Sequence, residues 1–144
     1  MEIKFTDKNL KKTVKEILVP LLQKYTIFAF IGPLGVGKTT IIKEILKQCG
    51  IKETVTSPTF GYVNSYKNKL ITTFHHFDLY RIDSVEAFIE AAFDEYLYQE
   101  HNISFIEWPE VIAALLENKK LKKLVCYVIL AYDPSNPSIR IIKI

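Results

Sequence analysis

Residues 26–39 of the chain read TIFAFIGPLGVGKT. The first six of these residues form a continuous apolar run that Gly32 closes, a pattern typical of a strand buried on both faces of a parallel sheet. Residues 39–48 follow with good helical composition, and Gly50 marks the expected end of that helix. The stretch therefore predicts a strand, a glycine-rich turn and a helix in succession, as in an α/β fold.

The glycine-rich turn matches the pattern G-x-x-x-x-G-K-[ST] at every required position, from Gly32 to Thr39. Glycines allow the backbone N–H groups to wrap an anion, and the start of the helix adds unpaired amides. Lys38 is expected to reach the β- and γ-phosphates, and Thr39 to offer its hydroxyl to Mg²⁺. The turn thus predicts a site for ATP and Mg²⁺, with these binding residues: Gly35, Val36, Gly37, Lys38, Thr39 and Thr40.

The choice of ATP over GTP depends on a second pattern. GTP-binding proteins of this class read guanine with an N-K-x-D block. Here Asn118-Lys119-Lys120 is followed by Leu121, so the acidic residue that would read guanine is missing. The sequence favours ATP.

Length and composition predict a single domain over residues 1–144. The chain is 49% hydrophobic and 24% charged, the balance of a soluble globular protein, and its formal net charge of +3 is small. The longest apolar stretch, around residues 27–31, is far below the ~20 residues of a membrane span. Because no signal-peptide layout is present either, we expect a cytoplasmic protein without a membrane partner. The two cysteines are expected to be idle thiols.

The remaining elements predict a sheet with helices on both faces. Pro20 is expected to kink or end the first helix. The other expected elements are a strand at 3–5, a helix from Asp7, a hairpin of 61–66 and 70–79 around a turn at 67–69, a helix over much of 85–98, a strand at 103–106, a helix from Pro109 to about Leu116, and strands at 124–131 and 139–144. We expect a three-layer P-loop NTPase-like fold, whose mixed sheet has a parallel core and antiparallel edge strands.

Two acidic residues stand at predicted strand ends, where α/β proteins place their ligands. Asp78 ends the second half of the hairpin, and Glu107 follows the apolar residues 103–106. A carboxylate at the end of a buried strand needs a partner, which Mg²⁺ or a water on it would provide. An exposed strand-end acid is the alternative for both residues. Asp78, Glu107 and Lys38 are the candidate catalytic residues.

Five blocks together resemble the TsaE family, the small bacterial ATPases needed to make threonylcarbamoyladenosine in tRNA. The resemblance covers residues 6–110, and its S-P-T-F, H-x-D-x-Y-R and E-W-P blocks are far more specific than the phosphate loop alone. The blocks are Gly35-Val36-Gly37-Lys38-Thr39-Thr40, Ser57-Pro58-Thr59-Phe60, His76-Phe77-Asp78-Leu79-Tyr80-Arg81, Glu95-Tyr96-Leu97 and Ile106-Glu107-Trp108-Pro109-Glu110.

The resemblance implies an ATPase that is weak alone and more active with two partners, TsaB and TsaD. Those partners build the threonylcarbamoyl group and transfer it to the adenosine 3′ of the anticodon, so tRNA is met through the complex. By the same resemblance, Thr39 and Glu107 hold Mg²⁺, Lys38 clamps the phosphates and Thr6 lies near adenine. Residues 57–60 and 76–81 would be switch segments, and Trp108 would lie near the site or the partner face.

Two departures from the family pattern are visible. Ala92 stands where the family usually has a glycine, and the strands after Leu121 carry no matching block, so no adenine contact is assigned there. Arg81 could meet a phosphate, a tRNA backbone or a partner carboxylate. The lysine-rich residues 119–123 are either a solvated turn or a tRNA contact. Since His75 and His76 are adjacent on a strand, only one of them can face the site.

Two other classes of function compete with this interpretation. A small-molecule kinase needs several arginines on the transferring phosphate, and the chain has only Arg81 and Arg140. A nucleotide sensor that switches partners without useful hydrolysis would carry the same residues as a slow ATPase. The sequence leaves this second alternative open.

Overall fold

The computed structural model of the chain describes residues 1–58 and 61–144. In these residues, seven strands form one sheet in the order β1-β7-β6-β2-β5-β4-β3. Their bounds are β1 Glu2–Phe5, β2 Ile27–Ile31, β3 Val63–Lys67, β4 Thr73–Asp78, β5 Asn102–Glu107, β6 Val125–Asp133 and β7 Asn136–Lys143. Strands β6, β2, β5 and β4 are parallel to their neighbours in this series. Antiparallel strands extend the sheet on both sides, β7 and then β1 beyond β6 and β3 beyond β4. The expected mixed sheet is confirmed.

The central strand β2 has apolar side chains on both faces because helices cover both sides of the sheet. Phe28 and Phe30 pack into one cluster with the N-terminal helical region and α2 (Lys38–Gln48). Ile27 and Ala29 pack into a second cluster with α3 (Val85–Glu90), α4 (Glu95–Tyr98) and α5 (Ala113–Leu116). The three-layer P-loop fold follows from this alternation.

The N-terminal helical region changes geometry as it approaches Pro20. It runs as a 3₁₀ turn at Asp7–Asn9, α1 at Leu10–Thr13, a π-helical turn at Val14–Leu18 and a 3₁₀ helix at Val19–Gln23. Pro20 lies at the start of the last segment, where its missing N–H is tolerated. The helical region therefore changes to 3₁₀ geometry at Pro20 and ends at Gln23, as expected for a proline within a helix.

Two local predictions are wrong in detail. The hairpin turn occupies residues 68–72, so Leu70 and Ile71 are exposed turn residues and not part of β4. The helix predicted over residues 85–98 is broken between α3 and α4, where Ala92 has a φ of +61°. Left-handed backbone suits glycine and costs alanine about 1 kcal/mol, which explains the family's glycine at this position.

The helix predicted from Pro109 to about Leu116 is present, and neither cysteine forms a disulfide. Pro109 begins a 3₁₀ helix, Pro109–Ile112, that continues into α5. Cys49 and Cys126 are both free thiols, and burial raises the pKa of each. Within residues 1–58 and 61–144, no helix has both the length and the apolar character that crossing a bilayer requires.

Candidate functional site

The phosphate loop connects the end of β2 to the start of α2. Gly35 and Gly37 both have positive φ angles, +80° and +109°, and Gly37 is the residue from which α2 begins. A Cβ built on Gly32 would lie 2.7 Å from the backbone oxygen of Leu130, so no side chain fits there. The glycines are therefore required by backbone conformation and by close approach to β6.

Lys38 turns back onto its own loop. Its Nζ donates to the backbone oxygens of Gly32 at 2.7 Å and Pro33 at 3.0 Å, and it lies 4.2 Å from the centre of the Trp108 ring. The residue is only 4% exposed. Burial lowers the pKa of the Lys38 ammonium, and the nearby Glu107 carboxylate opposes this shift. The loop thus holds a buried ammonium whose present partners are carbonyl dipoles and an aromatic face.

Thr39 and Glu107 bring a hydroxyl and a carboxylate together from α2 and β5. Thr39 Oγ1 is 2.9 Å from Glu107 Oε1 and 2.8 Å from Oε2, and Ser57 Oγ donates to Thr39 Oγ1 at 3.3 Å. Glu107 is 4% exposed. Because β5 is parallel to β2 and adjacent to it, its last residue lies beside the beginning of α2.

The adjacent histidines of β4 face opposite sides of the sheet, as predicted. His76 Nε2 lies 2.6 Å from Glu107 Oε2 and is fully buried, with its Nδ1 unpartnered among the described residues. His75 points to the other face, where its Nδ1 lies 2.6 Å from Ser65 Oγ and its ring contacts Tyr96. Burial lowers the pKa of His75 to about 4. Only His76 belongs to the site.

Asp78 ends β4 in register with Glu107 but makes different contacts. Its Oδ1 accepts the backbone N–H of Tyr80 at 3.1 Å. Burial raises the pKa of the Asp78 carboxyl, and the negative charge of Glu107 adds to this effect. Asp78 and Glu107 nevertheless line the same open cavity of about 280 Å³, together with residues of the phosphate loop and Trp108.

Trp108 follows β5 in a left-handed conformation, with a φ of +58°. This conformation directs the chain away from the sheet, and the ring lies between Lys38 and Tyr80, whose ring centre is 4.9 Å away. Tyr80 and Arg81 are exposed, so Tyr80 is not a core residue. Both line a neighbouring cavity of about 170 Å³ with Ser57 and Pro58. The other half of the predicted S-P-T-F block, Thr59 and Phe60, lies outside the described residues.

The other predicted binding residues occupy three different environments. Thr40 is exposed at the cavity, whereas Val36 is fully buried and anchors the loop in the core. Thr6 precedes the first helical turn, and its backbone N–H donates to Asn9 Oδ1 at 2.7 Å. Thr6 makes no hydrogen bond to the phosphate loop among the described residues. It is flanked by Phe5 and Asp7, which both contact Arg140.

Sequence reasoning missed two residues of the β6–β7 hairpin that touch the phosphate loop. Tyr132 Oη donates to the backbone oxygen of Gly35 at 3.0 Å. Arg140 Nη1 lies 2.9 Å from the position that a Cβ on Gly37 would occupy. Neither residue belongs to a recognisable motif. Tyr132 reaches the loop because β6 pairs with β2, and Arg140 because β7 pairs with β6. Only the strand order could have revealed them.

The donor set fits a magnesium-bound triphosphate. The site offers a hydroxyl and a carboxylate oxygen at one point, the type and number of protein ligands that Mg²⁺ uses when phosphates and waters complete its shell. The glycine backbone and the start of α2 provide N–H donors beside them. Lys38, held only by carbonyls, is available to a stronger anionic partner.

Comparison with known proteins identifies similar sequences. A family model described as "Threonylcarbamoyl adenosine biosynthesis protein TsaE" matches residues 5–129. The tRNA threonylcarbamoyladenosine biosynthesis protein TsaE of Rickettsia felis is 39% identical over 106 residues, which are 73% of this chain and 60% of that protein. The proteins of the same name from Rickettsia prowazekii and Synechocystis sp. are 38% identical over 75% of this chain and 76% of theirs, and 32% identical over 80% and 74%.

The matches differ in how much of each relative they cover. The matched region spans about three fifths of the Rickettsia felis and Rickettsia conorii proteins. Among solved structures, the crystal structure of Bacillus subtilis YdiB is similar with a TM-score of 0.61 at 20% identity, covering 99% of this chain and 83% of that chain. This structural likeness supports the fold alone.

Proposed function

We propose that this chain, which belongs to the TsaE family, binds and hydrolyses ATP with Mg²⁺ as part of the system that forms threonylcarbamoyladenosine in tRNA. Its ATP cycle supports turnover of a transferase made of TsaB-like and TsaD-like proteins, and it contacts tRNA indirectly through that complex. The chain itself is not the transferase. The expected compartment is the cytoplasm, where tRNA is modified.

The proposal depends on one observation, the contact of Thr39 Oγ1 with both carboxylate oxygens of Glu107. These two groups come from separate elements and meet at the beginning of α2, next to the phosphate-binding amides. They are therefore the proposed ligands of Mg²⁺. When bound there, the ion would neutralise charge on the phosphates of ATP.

Lys38 and the loop amides have the proposed role of holding the phosphates. Lys38 has to exchange the backbone oxygens of Gly32 and Pro33 for phosphate oxygens. A phosphate is the stronger partner because its hydrogen bond to an ammonium is between opposite charges. The backbone of residues 35–40 would surround the same anion with N–H groups. This exchange gives the loop two states, with and without nucleotide.

His76 and Asp78 complete the proposed chemistry. His76 holds the Glu107 carboxylate through Oε2, the oxygen that Thr39 also contacts. Asp78, at the next strand end, is placed to orient the attacking water, either directly or as a switch residue that responds to the γ-phosphate. Burial raises the pKa of the Asp78 carboxyl, and the nearby positive charge of Lys38 opposes this shift.

The test is phosphate release by the purified chain, with and without Mg²⁺ and with and without TsaB-like and TsaD-like proteins. We expect slow release alone, faster release with both partners, and co-purification that depends on ATP. Lys38→Ala is the control, since it removes the phosphate contact without touching the metal ligands. Absence of ATP binding in calorimetry with Mg²⁺ would contradict the proposal.

A non-catalytic switch is the second candidate. It is favoured by the internal contacts of the site, because Lys38, Thr39 and Glu107 all have protein partners. Such a protein would bind ATP and change partners without releasing phosphate, and the same assays would detect this outcome. A small-molecule kinase is less favoured, because the chain has only two arginines. Of these, Arg140 lies against the phosphate loop and Arg81 lines the neighbouring cavity.

A further inference from the structure

Arg140, on β7 between β1 and β6, has its guanidinium beside the phosphate loop. Its Nη1 occupies the space beside Gly37, 2.9 Å from where a Cβ would be, and its Cζ lies 5.3 Å from the centre of the Phe5 ring. Its Nη2 contacts the Asp7 carboxylate. The side chain is 14% exposed, so three contacts fix the guanidinium in place.

The charges around this guanidinium are unbalanced. Gly37 is the residue from which α2 begins, so Arg140 lies at the positive end of a helix of 11 residues. Cations at a helix N-terminus are destabilising. The Asp7 carboxylate offsets one charge, but its side chain is 83% exposed and its attraction is weakened by solvent. An anion bound by the loop would balance the remaining charge.

A purely structural role for the Arg140–Asp7 ion pair does not explain why the guanidinium also reaches Gly37. Lys143 and Glu2 form a comparable pair across the same two strands, 3.3 Å apart, but at the surface and away from the loop. Such pairs contribute little to stability. Of these two cations of β7, Arg140 extends to the phosphate loop, and the absent side chain of Gly37 provides the room for it.

We propose that Arg140 is a nucleotide-binding residue whose guanidinium contacts the phosphates of ATP, with Asp7 and Phe5 as positioning residues. The inference deepens the proposed function and depends on it. Arginine suits the task because its planar fork can bind a phosphate while keeping one edge on a carboxylate. The phosphate chain would then lie between Lys38 and Arg140. This contact belongs to the C-terminal strands, which carry no family block.

The test compares the affinity of the chain for ATP and ADP, with Mg²⁺, in calorimetry. A hydrogen bond to a charged group predicts that Arg140→Gln weakens both ligands by about tenfold to a hundredfold. Asp7→Asn, which removes only the positioning carboxylate, should weaken them less than about threefold. Lys143→Gln is the matched control on β7 and should leave both affinities unchanged. Thermal unfolding without nucleotide checks that each variant folds.

Several outcomes would overturn the inference. Arg140→Gln could bind as well as the unaltered chain, or Asp7→Asn could lose as much affinity as Arg140→Gln, which would indicate a structural pair only. Failure of the unaltered chain to bind nucleotide would overturn the proposed function as well. If Arg140→Gln does not fold, Arg140→Lys replaces it. In that case, a loss of nucleotide affinity of at least threefold supports a phosphate contact by the planar guanidinium, and unchanged affinity contradicts it.

Competition by inorganic pyrophosphate against labelled ADP separates a phosphate contact from a contact to the base. Pyrophosphate lacks the nucleoside, so a phosphate contact predicts that Arg140→Gln weakens it by the same factor as ADP. Unchanged competition by pyrophosphate, together with weaker ADP binding, would contradict the proposed phosphate contact.

Discussion

Strands β4 and β5 end side by side with one carboxylate each, but the two carboxylates are in different environments. Glu107 is buried and bonded to Thr39 and His76. Asp78 is half-buried and accepts the N–H of Tyr80. The two residues are direct neighbours in the parallel ladder. Strand position alone therefore cannot account for the difference.

The difference arises from the neighbours of each strand. β5 lies next to β2, from which the chain enters the phosphate loop and α2, so its last residue meets Thr39. β4 lies one strand further out and ends opposite the residues around Ser57 and Tyr62. In a parallel sheet, distance from the phosphate-binding strand thus separates the proposed metal ligand, Glu107, from the proposed auxiliary acid, Asp78.

Glu107→Gln is expected to have the largest effect. The amide keeps the size of the side chain but removes the charge that would hold Mg²⁺, so phosphate release with partners should fall at least about a hundredfold. Nucleotide affinity should change much less, because the loop amides and Lys38 remain. Parallel release and binding assays measure both quantities. Hydrolysis that survives this change would show that Glu107 has been assigned wrongly.

His75, on the face of β4 that points away from the site, is expected to make the stability of the chain depend on pH. His75 has a folded pKa of about 4, below the 6.5 of an ordinary histidine, so the unfolded chain binds this proton more tightly. The free energy of unfolding should therefore fall as the pH drops from about 6.5 to about 4, by up to about 3 kcal/mol, and level off below. Urea unfolding across this pH range measures the effect.

Matched histidine variants test this assignment. His75→Asn should flatten the dependence of stability on pH. His101→Asn is the control, because His101 is exposed and has a φ of +60°, which asparagine tolerates. If the His101 variant flattened the pH dependence equally, the assignment of this proton to His75 would be wrong.

Asp78→Asn should have a smaller effect than Glu107→Gln. If Asp78 only orients water or senses the γ-phosphate, phosphate release should fall about tenfold, at the low end of acid–base contributions. Mg²⁺ affinity should be unchanged, since Asp78 does not touch Thr39. A titration of activity against Mg²⁺ for both variants checks this. A weakened response to Mg²⁺ in Asp78→Asn would place both carboxylates on the metal.

The smallest effect concerns Trp108, the only tryptophan of the chain. Its ring lies over the Lys38 ammonium, so departure of Lys38 toward phosphate should change the intrinsic fluorescence when ATP and Mg²⁺ are added. Lys38→Met should alter the emission of the free protein and abolish the response to ATP. If the response persists in this variant, Trp108 senses the nucleotide by another route.

The sequence predicted the elements that depend on local pattern. The apolar run at 26–31, the glycine spacing after it and the aromatic hairpin each specify their own structure, and the alternation of His75 and His76 follows from strand geometry. The strand-end positions of Asp78 and Glu107 were found in the same way. Their separate environments depend on sheet order, which a local pattern does not contain.

What was missed has a physical explanation in each case. Ala92 adopts left-handed backbone although alanine is a strong helix former, because the packing of α3 and α4 outweighs its propensity. Arg140 and Tyr132 reach the phosphate loop from more than 90 residues away. They had no signature because their position comes from the pairing of β6 with β2 and of β7 with β6.

The central place of β2 in the sheet has a consequence for synthesis of the chain on the ribosome. This strand is made early, but its two neighbours, β5 and β6, follow only after residue 101. β2 therefore stays without its neighbouring strands until late in synthesis. The phosphate loop lacks its contacts with β6 until that strand has emerged. We expect nucleotide binding by the nascent chain to begin only after β6 has emerged from the ribosome.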